Sequence, residues 1–214
     1  MIDKFLKAEH WQLFLAGIVV PFVLQVVLFR DFFRTIEELA YIMESVGDIS
    51  PSLELPRSFI FVPIIILLSV GVQIAWLWSV VVGLEKKLPE DMYHGSNTLF
   101  KISLFAPIAT FLYAIYLMYD MMNNVMTGMM PNISGFFLLF PLSFFSTFGM
   151  FYVVYFVAKR IKTVELQAIP RFEDWIGEFF LIAFFPIGVW ILQPRINDLY
   201  KNQVVETDNH EVEF

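Results

Sequence analysis

The stretch 171-RFEDWIGEFFLIAFFPIGVWILQPRIN-197 decides how many times this chain crosses a membrane. Its apolar block, residues 175–192, would form a helix of about 27 Å, close to the thickness of a bilayer core. Trp175 and Trp190 lie near the two ends of the block, where interfacial aromatic residues are common. These features favour a full span. The alternative is a re-entrant hairpin that turns at Pro186–Gly188, with arms of about nine residues whose backbone would need burial in other helices.

The rest of the chain contains four more apolar blocks of this length. The sequence of 214 residues is 58% hydrophobic and only 16% charged, whereas about 25% of the residues in soluble domains are charged. The five predicted spans are 11–29, 60–82, 102–122, 136–157 and 175–192. Residues 1–214 are therefore predicted to form a single all-α membrane domain. We expect a polytopic transmembrane helical bundle of about five spans, or four spans plus the re-entrant hairpin.

The distribution of Lys and Arg predicts how the chain is threaded. Residues 123–135 contain no Lys or Arg, while the neighbouring loops are basic, so this loop is expected outside and the N-terminus in the cytoplasm. With five spans, nine of the 14 basic residues lie inside and the acidic C-terminal tail, residues 198–214, lies outside. With the hairpin, the same count becomes eleven inside and three outside, and the tail returns to the cytoplasm.

Residues 31–50, after the first span, are predicted to form an amphipathic outer helix. Its apolar residues recur at steps of three and four, and its opposite face is acidic. The apolar residues are Phe32, Ile36, Leu39, Met43 and Val46, and the acidic ones are Glu37, Glu38 and Glu44. An acidic face is poorly suited to anionic lipid. We expect this helix to pack on the outer ends of the bundle or to present a surface to a partner.

Small and polar side chains form a stripe within the predicted spans. The stripe comprises Ser103, Thr110, Tyr113 and Asp120 of the third span, Ser143, Ser146 and Thr147 of the fourth, Gln73 of the second and Gln25 of the first. Such faces let membrane helices pack closely and hydrogen-bond to one another. The alternative is a polar conduit for a solute. Ionisable residues are absent from the middle of the spans, which argues against an ion-coupled transporter.

Arg171, Asp174 and Glu178 are spaced by three and four residues, which places them on one face of a helix that enters the membrane. This face could grip a partner's basic segment or a lipid amine. Alternatively, it could attach its helix to the basic segment 159–162. We favour the structural interpretation.

No catalytic, metal-binding or cofactor-binding motif is recognisable in the sequence. The chain has no cysteine and only three histidines, none of them inside a predicted span. We therefore expect no cofactor and no metal, and the absence of a basic tract makes nucleic acid an unexpected partner. The predicted function is that of a non-enzymatic accessory or scaffold subunit in the bilayer, with a protein partner or a second copy of itself. A small channel or transporter, and a lipid-handling enzyme, are the alternatives.

The words F-x-D-x-I-G-E-F-F and F-F-P-I-G-V-W-I-L-Q-P-R-I-N, within residues 172–197, resemble the closing segment of an uncharacterised family of small bacterial inner-membrane proteins. The resemblance implies a bacterial cytoplasmic membrane. It transfers no functional residue to this chain.

Overall fold

The computed structural model describes residues 2–46, 58–85, 88, 92, 96–126, 129–130 and 133–210, and this part of the chain is helical without strands. The helices are α1 Ile2–Leu6, α2 His10–Phe14, a π-helical turn Leu15–Val19, α3 Val20–Val46, α4 Ser58–Glu85, α5 Asn97–Met126, α6 Ser134–Leu166, α7 Phe172–Ala183 and α8 Phe185–His210. The predicted all-α class is confirmed.

Four helical segments are long and apolar enough to cross a membrane. They are His10–Arg30, Phe61–Glu85, Asn97–Met121 and Ser134–Leu166. Each contains one of the first four predicted spans to within one residue, so the protein is a multi-pass membrane protein. Successive spans run in opposite directions. Their ends near α1, Glu85, Asn97 and Leu166 therefore lie together, at what we call the basic end of the bundle.

The first span attaches to α4 at a local break in its own hydrogen bonding. Pro21 has no N–H to donate to the carbonyl of Gly17, one turn earlier in the helix. The Ser69 hydroxyl of α4 donates to that carbonyl instead, at 2.6 Å. Gly17 also allows close approach, because a methyl group there would come within 3.3 Å of the Phe185 ring. The carbonyl that Pro21 leaves without a helical donor is thus satisfied by a hydrogen bond from the neighbouring helix.

The fifth apolar block is not a single helix. It breaks at Phe184, whose φ of −95° and ψ of 60° end α7, while its carbonyl accepts from the backbone N–H groups of Ile187 and Gly188 to begin α8. Pro186 falls in the first turn of α8, where a missing N–H removes no helical bond. The sequence Phe-Phe-Pro-Ile-Gly is therefore a helix–helix turn.

Helices α7 and α8 form an antiparallel hairpin. Gly188 of α8 packs so closely on α7 that an added Cβ would overlap the backbone of Leu181, and further along Arg195 contacts Glu178. Near the tip, the Phe185 ring packs on Trp76 with centroids 5.4 Å apart. Trp76 precedes the end of α4 by nine residues, so the tip lies about 14 Å above the basic end, less than half the depth of a bilayer core.

The preferred prediction of one continuous helix through 175–192 is therefore wrong, and the fold contains the helical hairpin of the alternative. The hairpin was discounted because arms of about nine residues would leave polar backbone exposed. In the structure the arms are helices of 12 and 26 residues that satisfy their own backbone groups. Trp175 and Trp190 do not mark opposite interfaces. Trp175 contacts Tyr155 near the basic end, and Trp190 contacts His10 at the start of the first span.

Two extramembrane predictions also change. Residues 31–46 are helical but continue α3 from the first span, because no Gly or Pro interrupts the chain between Pro21 and Gly47. They are not a separate amphipathic helix, and residues 47–50 lie outside the described part. The predicted acidic tail, residues 198–214, is helical as far as His210 because α8 continues to that residue, and residues 211–214 are likewise outside the description.

The buried core lies toward the basic end. In α4 the core cluster runs from Ile74 to Leu84, in α6 from Val153 to Val164, and α5 contributes only Phe100 and Leu104. In the described part of the chain, α3 contributes no residue to this cluster. Toward the other end, the described side chains of α3 and of the first half of α6 are mostly exposed.

The hairpin predicts that residues 4 and 201 lie on the same side of the membrane and residue 130 on the other. The chain has no cysteine, so in the single variants Lys4→Cys, Lys201→Cys and Met130→Cys any labelling comes from the introduced cysteine. All three side chains are exposed. A membrane-impermeant maleimide applied to one side should label positions 4 and 201 together and position 130 only from the opposite side. Joint labelling of 201 and 130 would contradict the hairpin.

The close contact at Gly188 predicts a large difference between two glycine substitutions. Gly188→Ala would force the new methyl group into the carbonyl of Leu181, and overpacking of this kind costs about 1–3 kcal/mol or more. Gly177→Ala in α7 meets no atom within 4 Å and should stabilise the helix by about 0.5–1 kcal/mol. Thermal unfolding in detergent compares the two, and equal midpoints would argue against the packed hairpin.

Candidate functional site

The polar stripe of α5 lies against α6. The Thr110 and Ser146 hydroxyls are hydrogen-bonded at 2.6 Å. Two turns earlier in α5, Ser103 packs on Gly149, where an added Cβ would come within 3.2 Å of it. Near the outer ends, the Tyr113 hydroxyl donates to the carbonyl of Gly135, in the first turn of α6, at 3.2 Å. These contacts are those of two closely packed membrane helices.

The other predicted stripe residues are not gathered into one site. Ser143 and Thr147 donate to carbonyls four residues earlier in their own helix, at 2.8 Å each. Asp120 accepts a hydrogen bond from the side-chain amide of Asn124, one turn further along α5. Gln73 and Gln25 are half-buried on α4 and α3. The structure therefore brings together the stripe residues on facing sides of α5 and α6, and leaves the others dispersed.

The predicted face at residues 171–178 divides into two parts. Asp174 accepts a hydrogen bond from the backbone N–H of Arg171 at 2.7 Å, which caps the first turn of α7. Arg171 itself is exposed. Glu178 is buried and faces the bundle, where it reaches Lys162, one of the basic residues to which this helix was expected to attach. The three residues do not act as one face.

Glu178 belongs to an ionic cluster that joins α6, α7 and α8. Lys162 lies 2.8 Å from Glu165 and 3.1 Å from Glu178. On the other side of the same carboxylates, Arg195 Nη2 lies 2.6 Å from Glu165 Oε1 and 2.9 Å from Glu178 Oε1. Arg195 also donates to Glu165 through Nε at 3.1 Å. Two carboxylates and two cations thus share one site without net formal charge.

Burial and hydrogen bonding compete at Arg195. Burial lowers the pKa of its guanidinium, but hydrogen bonds to Glu178 and Glu165 and the nearby carboxylate charges more than offset this, so its pKa lies above the ordinary value. The group stays charged, and bidentate pairing gives it a fixed direction. The cluster is therefore suited to holding three helices together, which is a structural role.

A second polar cluster ties the N-terminal segment to α8. Gln193 is fully buried, and its Oε1 accepts a hydrogen bond from the Trp76 indole at 2.7 Å. Its Nε2 lies 2.9 Å from the Phe5 carbonyl oxygen and 3.1 Å from the Ala8 carbonyl oxygen. Asn197, one turn later, donates to the same Ala8 carbonyl at 3.1 Å. Every polar atom of the Gln193 side chain therefore has a partner inside the bundle.

The Gln-Pro-Arg-Ile-Asn sequence thus serves two opposite faces of α8. Gln193 and Asn197 are four residues apart and point toward the N-terminal segment, while Arg195 points toward α6 and α7. Sequence reasoning had not assigned these residues or Glu165. The spacing of Gln193 and Asn197 by four residues, with Arg195 between them, was the only pattern available in the sequence. It predicts two faces only if the segment is already known to be helical.

The basic end also carries a cavity of about 260 Å³ on α6, lined in part by Tyr152, Tyr155, Lys159 and Arg160. Arg160 is buried, and its Nη2 lies 3.4 Å from the Asn97 amide oxygen of α5. In the described residues, no group of three or more His, Asp or Glu side chains is placed to hold a metal ion.

No protein-family model, curated protein or solved structure matches this chain. The resemblance of its last third to small bacterial inner-membrane proteins therefore stays a prediction.

The ionic cluster predicts unequal effects for two glutamates of α7. Glu178→Ala leaves the partly buried Lys162 and Arg195 with one carboxylate between them, which should lower the free energy of unfolding by about 2 kcal/mol. Glu173 is exposed in the first turn of the same helix, and Glu173→Ala should change it by about 0.5 kcal/mol. Chemical or thermal unfolding in detergent measures both. Comparable losses would show that the cluster does not support the hairpin.

Proposed function

We propose that this protein is a non-enzymatic membrane subunit that binds a partner's transmembrane helix between the outer halves of its spans. The observation that carries the proposal is the position of the core. Buried apolar packing joins the helices at the basic end, whereas the described side chains of α3 and of the outer half of α6 are mostly exposed. A helix in a compact bundle is packed against neighbours on more than one side. The outer halves offer room for a further helix.

The surface of the outer halves suits an apolar partner. Val26 on α3, and Phe140, Phe144 and Phe148 on α6, are exposed, and the three phenylalanine rings follow one another along a single ridge with centroids 4.7 and 6.3 Å apart. In a bilayer, such side chains face lipid or another membrane helix. The proposal assigns them to a partner helix, which belongs to a different protein or to a second copy of this chain.

The part of α3 that extends beyond the first span also supports partner contact at the outer end of the bundle. From Asp31 to Val46 the helix continues for about 24 Å after the first span. Phe33 and Glu37 on this extension are exposed. A continuous helix of this length provides a rigid arm, which is the form in which the predicted acidic surface could reach a partner outside the bilayer.

We further propose that the basic end faces the cytoplasm of a bacterial cell and that the protein resides in the inner membrane. With the hairpin, residues 195 and 201 join the basic end, so eleven of the 14 Lys and Arg residues lie on that side. The positive-inside rule supports this orientation. The N-terminus and the described end of α8 then both face the cytoplasm. The resemblance of residues 172–197 supports the bacterial location.

The alternative of a small channel or transporter receives no support from the polar stripe. Thr110, Ser146 and Tyr113 hydrogen-bond within the α5–α6 contact, where they satisfy one another or the backbone. A conduit requires polar groups that face a continuous water-filled path. We therefore do not propose transport as the function.

Partner binding can be tested with a photo-crosslinking residue substituted into the protein, which is then irradiated in native membranes. Substitution at Phe144 or Val26 should give a discrete protein adduct, whose mass identifies either a second copy or a different chain. Ile191 is the matched control, because it is apolar and exposed but lies on α8 near the basic end. Adducts with lipid alone at positions 144 and 26, or the same protein adduct at position 191, would contradict the proposal.

A further inference from the structure

The cavity on α6 lies along one face of that helix. Tyr152, Tyr155, Lys159 and Thr163 recur at steps of three and four, and Arg160 lies beside them. The volume of about 260 Å³ is slightly below the range of about 300–1,000 Å³ typical of pockets that enclose drug-sized ligands. It is large enough for a polar headgroup and too small for a whole lipid.

The described lining of the cavity contains two cations and no carboxylate. The Lys159 ammonium lies 3.3 Å from the Tyr155 hydroxyl and 5.7 Å from the centroid of the same ring. The Arg160 guanidinium lies 5.0 Å from the Phe156 ring, which fixes its plane at the wall of the cavity. The next basic residue, Lys162, faces away and enters the ionic cluster. Lys159 and Lys162 therefore lie on different sides of α6, and Lys162 alone belongs to the charge-balanced cluster.

The surroundings of the cavity place it at a membrane interface. Tyr155 contacts Trp175 of α7 with ring centroids 4.9 Å apart, and Tyr and Trp are enriched where acyl chains meet headgroups. One turn toward the membrane interior, Phe148 and Phe151 are exposed on α6. An amphipathic molecule could therefore place a charged group in the cavity and its apolar chains along the helix.

We propose that this cavity binds the phosphate-bearing headgroup of an anionic phospholipid. Lys159 and Arg160 attract the phosphate, and the hydroxyls of Tyr152 and Tyr155 can donate hydrogen bonds to its oxygens. Basic pockets between membrane helices are known to take such headgroups. The acyl chains follow the apolar surface of α6 at Phe151. The site is independent of the proposed partner helix, which contacts the opposite end of the bundle.

Native mass spectrometry of the purified full chain tests the site with phosphatidylglycerol and phosphatidylcholine as probes. The unaltered protein should retain phosphatidylglycerol in preference to phosphatidylcholine. Lys159→Gln should weaken retention of phosphatidylglycerol about fivefold, since each basic residue near a lipid surface contributes about 1 kcal/mol. Lys101→Gln is the matched control: Lys101 is exposed on α5 over the Trp78 ring and does not line the cavity. It should leave retention unchanged.

A second variant separates loss of the site from loss of the fold. Tyr155→Phe keeps the ring contact with Trp175 and removes only the hydroxyl beside Lys159, so it should weaken phosphatidylglycerol retention without lowering the unfolding temperature. Equal retention of the two lipids, or equal losses for Lys159→Gln and Lys101→Gln, would overturn the proposal. Occupation of the cavity by millimolar inorganic phosphate, with no preference between the lipids, would assign it to free phosphate and overturn the lipid proposal.

Discussion

The shape of this protein depends on a carboxylate, Glu178, that is buried between Lys162 and Arg195 at the junction of three helices. A buried charge that loses its partner costs about 3–5 kcal/mol, so the hairpin must pair the charges that it buries. Glu165 supplies the second carboxylate that brings the cluster to neutrality. Because α7 and α8 contribute one charged residue each, the cluster closes the base of the hairpin and holds it on α6.

Helix α8 joins this cluster to the opposite side of the bundle. Its arginine faces α6 and α7. On the other side, Gln193 accepts a hydrogen bond from the Trp76 indole and donates to the Phe5 carbonyl, and Asn197 donates to the Ala8 carbonyl. The basic end is therefore connected through side chains from the N-terminal segment, α4, α6, α7 and α8. Such connection fixes one end of the bundle. Toward the other end few described side chains are buried, and this asymmetry underlies the proposal that a partner binds there.

The two proposed surfaces differ in physical character because they lie at different depths. The lipid cavity combines cations with aromatic rings at the level of the headgroups, where a charged ligand keeps contact with water. The partner surface is apolar and lies among the acyl chains, where shape and close packing decide association. Mid-depth polar residues such as Thr110 and Ser146 belong to neither surface, since their hydroxyls bond to each other.

Sequence patterns identified the first four spans within a few residues because hydrophobic length is a direct consequence of bilayer thickness. They also grouped Ser103, Thr110 and Tyr113 on one face, since helical periodicity fixes which side chains share a side. They did not determine what that face contacts. The same limit applied to α3, whose amphipathic pattern predicted a helix after the span but could not show that it continues the span itself.

The fifth block shows where the sequence stops being sufficient. Its length and its two tryptophans fit a span, and its Pro-x-Gly sequence fits a turn, so local information supported two folds. The sequence alone determined that the protein is helical, multi-pass and apolar through its spans, because those properties depend on composition and period. Only the tertiary structure decided that the block turns back at Phe184, because the deciding interactions, Arg195 with Glu165 and Gln193 with the N-terminal carbonyls, join residues 30 and 185 or more positions apart.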